Sequence, residues 1–257
     1  MFPHRILDSG SGTPVLFVHA FPFNADMWRP QFDALSSHMR CIAFDLPGVA
    51  EGGPAHADLS MDHAAGICLR VLDHLGIERA VIAGCSMGGY IAMAALARHA
   101  ERFSAAVFMD TRAGADSEEG KRNRTLQRED VLAHGTASLI DGMLPKLLAE
   151  ASTVRDPQLP GRVRAMMESA TPEGVASMLV AMRDRVDSSP MLSTLDIPVC
   201  VIVGEHDVLT PVAEAETIAR LAGRSALHVV ASAGHLANLE APDACNAIIR
   251  EFVARVV

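Results

Sequence analysis

The run Ala80–Ala97, AVIAGCSMGGYIAMAALA, carries no charged residue over 18 positions and is broken in its middle by Gly-Cys-Ser-Met-Gly-Gly. Eighteen apolar residues sit at the lower limit for a helix that crosses a bilayer. The glycines argue against one continuous helix, and no basic cluster follows directly. A buried strand, a sharp turn and a buried helix account for the run better. Such a unit needs further strands and helices to cover its apolar surface.

The rest of the chain supplies them. Val15–Val18, Cys41–Asp45, Ala105–Asp110, Val199–Gly204 and Ala226–Val230 are short apolar runs flanked by turn residues, the pattern of interior strands. Helical patterns lie between them at Met61–Leu75, Met87–His99, Pro211–Leu221 and Ala241–Val256. This alternation predicts an α/β fold, a mostly parallel central sheet with helices on both faces. Ile6–Asp8 followed by Ser9-Gly10-Ser11-Gly12 reads as an extra strand and a hairpin turn. The alternation stops between Thr111 and Pro190, a stretch without Phe, Tyr or Trp whose Leu and Met residues recur at helical spacing. The chain therefore divides into a first core part (1–110), a helical insertion between two strands (111–190) that reads as a lid, and a second core part (191–257). The charged stretch Asp116–Asp130 mixes both signs, as a solvated helix face does.

At 257 residues, 49% hydrophobic and 21% charged, the composition is that of an ordinary globular chain. A formal charge of −9 repels nucleic-acid phosphates and anionic lipid. Neither partner is expected. Five cysteines without a Cys-x-x-Cys pair suggest buried free thiols and a reducing, cytoplasmic location. The N-terminal MFPHRILDSG has no apolar run to act as a signal peptide. No histidine pair has helix ligand spacing beside a carboxylate, so no metal is expected.

Gly84-Cys85-Ser86-Met87-Gly88 is a Gly-x-Ser-x-Gly between a strand and a helix, the setting of a nucleophile elbow. The turn lifts the Ser86 hydroxyl above the sheet edge at a helix N-terminus, where free N–H groups favour a developing anion. A nucleophilic serine needs a base and the base an orienting acid. Among eleven histidines, His235 in Ala233-Gly234-His235 follows the last strand and is the candidate base. His228 lies too early, within a strand, and His19 suits a structural hydrogen bond; His4 and the others fall on helical or peripheral segments. Asp207, after VCVIVG, is the candidate acid; Asp110 is its rival and Glu205 a weaker third. An oxyanion hole needs two backbone donors. Met87 supplies one, and Phe21 the second, because the adjoining Pro22 has no N–H.

At HAFPFNADMW, DLPG, GCSMGGY, GEHDVLTP and AGHLANLEAP the sequence resembles the α/β-hydrolase family, close to its small lidded esterases, enol-lactonases and cofactor-free haloperoxidase-like members. The resemblance implies Ser86 as nucleophile, Asp207 as acid, His235 as base, Phe21 and Met87 as oxyanion donors, and no metal or organic cofactor. It departs at His19-Ala20, where the family has His-Gly, and at Val49-Ala50-Glu51, where Gly-x-Ser often follows DLPG. A serine nucleophile excludes haloalkane dehalogenases and epoxide hydrolases, which use a carboxylate there. Acyl transfer remains, with a small ester as the expected substrate and a 3-oxoadipate enol-lactone as the alternative. C–C hydrolysis, haloperoxidase-like activity or ligand reception without turnover rank behind these. Trp28, Phe23, Arg112, Met143 and Met178 are the candidate substrate contacts, Arg112 through a substrate carboxylate.

Overall fold

The computed structural model describes residues 5–57 and 59–256; His4 lies outside them. Among the described residues, seven strands form one sheet in the order β1-β3-β2-β4-β5-β6-β7. They are β1 (Ile6–Ser9), β2 (Pro14–Val18), β3 (Arg40–Phe44), β4 (Ala80–Cys85), β5 (Phe103–Met109), β6 (Val199–Gly204) and β7 (Ser225–Val230). The β1–β3 pair is antiparallel and all other pairs are parallel. The predicted α/β architecture holds. The hairpin does not: β1 pairs with β3, which enters between β1 and β2. The turn after β1 packs Gly10 against the carbonyls of Ser36 and Met39, just ahead of β3. That leaves the hydrogen-bonding edge of β1 open to β3.

Side chains alternate across the sheet and build two cores, as a strand period of two requires. Leu16, Val18, Ile82, Phe108 and Val201 face α2 (Met61–His74), α3 (Met87–His99) and α10 (Val212–Leu221). Val15, Phe17, Val81, Val107 and Ile202 face α1 (Arg29–Leu35) and α12 (Pro242–Val256) on the other side. The interior strands β4 and β6 are buried along their whole length, which explains their unbroken apolar sequence. All five cysteines are buried and unpaired, and burial pushes the thiols of Cys41, Cys68 and Cys200 up to about 12. No helix among the described residues is long and apolar enough to cross a membrane.

Between the neighbouring strands β5 and β6 the chain forms α4 (Glu118–His134), α5 (Ala137–Leu147), α6 (Glu150–Arg155), α7 (Leu159–Met167), α8 (Pro172–Arg183) and α9 (Ser189–Leu192). Ser117 and Thr171 cap α4 and α8 by accepting the N–H groups of Gly120 and Gly174. Two seams join this helical segment to the sheet. Ala50 N–H donates to the Ser169 carbonyl and Thr171 N–H to that of Gly48. On the opposite side, Ala149 N–H donates to the Glu240 carboxylate of α11 (Ala237–Glu240).

Candidate active site

Ser86 has φ 52° and ψ −113°, a conformation that an L-residue holds only when its surroundings impose it. Two close approaches impose it here. A Cβ on Gly84 would run into the Gly88 carbonyl, and one on Gly88 into the Val18 carbonyl. The strand, the turn and α3 thus sit closer together than side chains would permit. The strained residue is also tied to β5, since Ser86 N–H donates to the Met109 carbonyl (2.9 Å).

The three sequence candidates from separate loops meet in one line. Ser86 Oγ lies 2.8 Å from His235 Nε2, and His235 Nδ1 lies 2.9 Å from Asp207 Oδ2. Both His235 and Asp207 are buried. Asp207 Oδ1 accepts the N–H groups of Leu209 (2.8 Å) and Thr210 (2.9 Å), and Oδ2 accepts the Thr210 hydroxyl (2.5 Å). Burial pushes the Asp207 carboxyl up, but the His235 hydrogen bond and charge, followed by the Thr210 donors, outweigh it. The net direction is down, toward a carboxylate. With Nδ1 bonded to that carboxylate, the imidazole can carry its proton on Nδ1 and leave Nε2 to accept from Ser86.

Asp110 has a different place. Its oxygens accept the N–H groups of Gly204 (2.8 Å) and Ala237 (3.1 Å), so it ties the end of β6 to the start of α11, two residues past His235. Complete burial, then the nearby Asp207 charge, pushes this carboxyl well above its ordinary range. Glu205 accepts the Ser232 N–H at the exposed end of the same loop pair. His19 is a buried strut. Leu46 N–H donates to its Nε2 (3.1 Å), so its proton is on Nδ1, facing the Ala20 carbonyl (2.9 Å); burial pushes its titration down.

Ser86 and His235 open on a cavity of about 580 Å3 that Phe21, Tyr90, Leu139, Met143 and Met182 also line. Among the described residues the N–H groups of Phe21 and Met87 have no protein acceptor. The loop after β2 lies over the first turn of α3, where Gly88 touches it. Arg112 lines the cavity too, with one terminal nitrogen on the Leu209 carbonyl and the other 4.0 Å from Glu214. Three expected contacts are corrected. Trp28 and Phe23 are wholly buried in the core on the α1 and α12 side, and Phe17 packs against Trp28 at 4.9 Å between ring centroids. Met178 is wholly buried in the opposite core, while Met182, one helical turn on, reaches the cavity.

Several further residues line the cavity beyond those expected from the sequence. Tyr90 lies four residues past Ser86 on α3, hence on the same face of that helix. Arg124, Gln127 and Asp130 recur every three residues along α4, so one side of the expected solvated helix faces the cavity. Asp116 beside them binds both Arg124 and Arg185, and the Arg185 guanidinium lies 4.3 Å from the centre of the Tyr90 ring. No cluster of three or more potential metal ligands occurs among the described residues.

Comparison with known proteins places this fold among solved hydrolases. A thermophilic esterase from Thermogutta terrifontis, solved with malate bound, is 35% identical with a TM-score of 0.97, over 98% of this chain and 93% of that one. An enol-lactonase from Burkholderia xenovorans is 26% identical with a TM-score of 0.90, over 98% and 96%. In sequence, 3-oxoadipate enol-lactonase 1 of Acinetobacter baylyi is 25% identical over 94% of this chain and 89% of its own. The model of the alpha/beta hydrolase fold family matches residues 13–242. The chain belongs to the α/β-hydrolase fold family and is a hydrolase of that superfamily.

Proposed function

We propose that this hydrolase cleaves small carboxylic esters through an acyl-enzyme on Ser86. The hydrogen-bonded line from Ser86 through His235 to Asp207, at the wall of a 580 Å3 cavity, carries this reading. His235 Nε2 takes the Ser86 proton as Oγ attacks the ester carbonyl, and the Phe21 and Met87 N–H groups hold the oxyanion. Collapse breaks the bond to the leaving oxygen, which receives the proton from His235. Water then attacks the acyl carbonyl, losing a proton to His235; the bond to Ser86 Oγ breaks, Oγ takes that proton back, and the acid leaves. Asp207 holds the imidazole tautomer throughout. Each step uses the chain's own groups and water. The helices between β5 and β6 act as the lid, and the buried thiols suit a reducing cytoplasm.

A fluorophosphonate probe tests the nucleophile. Mass spectrometry is expected to find the adduct on the peptide containing Ser86 in the wild type and none in Ser86→Ala. An adduct on another residue, or none on folded wild type, contradicts the reading. A second reading, lactone hydrolysis with an acidic substrate, is favoured by Arg112 and Lys146 on the cavity wall, where Arg124 is paired with Asp116. It also agrees with the enol-lactonase relatives and with malate in the esterase relative. Carboxylate-bearing enol-lactones turning over faster than their methyl esters would support it.

A further inference from the structure

The Asp207 carboxylate faces four donors, and two of them compete for one oxygen. Thr210 Oγ1 donates to Oδ2 at 2.5 Å, while His235 Nδ1 approaches that oxygen at 2.9 Å. Thr210 Oγ1 is also 3.3 Å from His235 Nδ1, so hydroxyl, imidazole and carboxylate form a closed triangle. Thr210 is buried. Its backbone N–H already holds Oδ1, together with that of Leu209, in an Asx-type turn that fixes the carboxylate. The hydroxyl is therefore not needed to anchor Asp207. What it adds is a second claim on the oxygen that would stabilise the imidazolium.

Resting on the serine-hydrolase reading above, we infer that Thr210 is a positioning residue whose hydroxyl shares Asp207 Oδ2 with His235 and so keeps the base unprotonated at lower pH. Donation from a hydroxyl draws charge from Oδ2 and weakens its hold on a proton shared with the ring. Without it, Asp207 turns its full charge to His235 and retains the imidazolium to higher pH. The base is then occupied when Ser86 needs it.

The other titratable groups at this end of the sheet stay constant in the test. They are Asp110 on the β5 side, Glu240 on α11, and the buried thiols Cys85 and Cys245. Arg112 and Glu214 stand on the Leu209 side, and Asp116, Arg124, Asp130 and Lys146 of the helical segment line the same cavity as His235.

The experiment follows the His235 ring by NMR across pH in wild type, Thr210→Val, Thr210→Ala and Thr210→Ser, and measures kcat/KM for p-nitrophenyl acetate over the same range. In the Val and Ala variants the His235 titration is expected to move up by about half a pH unit. The acidic limb of kcat/KM should move with it, a loss of about threefold on that limb. Ser should restore both. A uniform loss of rate with an unmoved titration, or a downward shift, overturns the role of Thr210 and leaves the serine-hydrolase reading standing. An upward shift in a protein without turnover supports the hydrogen-bond sharing and overturns the hydrolytic reading. The Ala variant keeps the test decisive if Val fails to pack.

Discussion

Asp207 and Asp110 end adjacent segments of one sheet edge, and only their hydrogen-bond partners separate them. Asp207 faces an imidazole, whereas Asp110 faces two backbone N–H groups and holds a left-handed φ of 45°. Asp207→Asn is expected to lower kcat by about 10⁴-fold, because an amide can trap the wrong imidazole tautomer. Asp110→Asn should retain far more activity per folded molecule, while losing stability from a mismatched donor at Gly204 or Ala237. The opposite ranking of kcat would reassign the acid. The aromatic residues separate in the same way. Trp28→Ala should destabilise the chain by about 3–5 kcal/mol and leave acyl-chain preference unchanged. Met143→Ala, on the cavity wall, should shift the preferred p-nitrophenyl ester to a longer acyl chain. Denaturant titration beside an ester-length series distinguishes the two outcomes.

At the scale of elements, the helical segment after β5 is held at its root by a buried charge cluster. Arg185 reaches the Asp116 carboxylate (2.7 Å) and the carbonyls of Gly114 and Met182, and stacks on Tyr90 of α3. Its side chain is 3% exposed, so solvent screens the Asp116 pair little. Arg185→Met is expected to cost about 1–3 kcal/mol, because it leaves Asp116 to Arg124 alone and strips two carbonyls of their donor. Urea unfolding measures this, and a change below about 1 kcal/mol would show that Arg124 alone satisfies Asp116. Strand–helix alternation made the sheet and most core helices legible in the sequence, together with Ser86 and His235, because strong periodicity and the glycine-flanked turn are local signals. Pairing between strands is not local, so the turn after β1 has the sequence of a hairpin although β1 pairs with β3 and not with β2. The cavity face of α4 was hidden for a related reason. Its Arg, Gln and Asp residues have the composition of a solvated face, and only tertiary packing brings them to the wall of the cavity that Ser86 also lines. Trp28, Phe23 and Met178 show the converse, since large apolar residues near a site are as suited to the core as to a pocket.

Across the whole molecule, several carboxyls titrate below their ordinary value of 3.8. At Asp26 the Arg5 hydrogen bond is the main cause, opposed by burial. At Asp116 burial pushes up, but the charges and hydrogen bonds of Arg124 and Arg185 prevail. Asp207 behaves likewise through His235 and Thr210. A carboxyl depressed on folding adds stability that is complete above its unfolded value and lost as pH falls through its folded value. The melting temperature is therefore expected to fall steeply below about pH 4. Asp110 has the reverse sign, contributing at low pH and losing that contribution as pH rises through its elevated value. A melting temperature that stays constant from pH 6 to pH 3 would contradict the charge assignments. The central claim, an esterase working through Ser86, is tested most directly by turnover of p-nitrophenyl esters from acetate to decanoate, with wild type beside Ser86→Ala. The account predicts activity that peaks at short acyl chains and falls by about 10³-fold or more in the variant. Equal rates in the two proteins, or no turnover at any length by folded wild type, would contradict it.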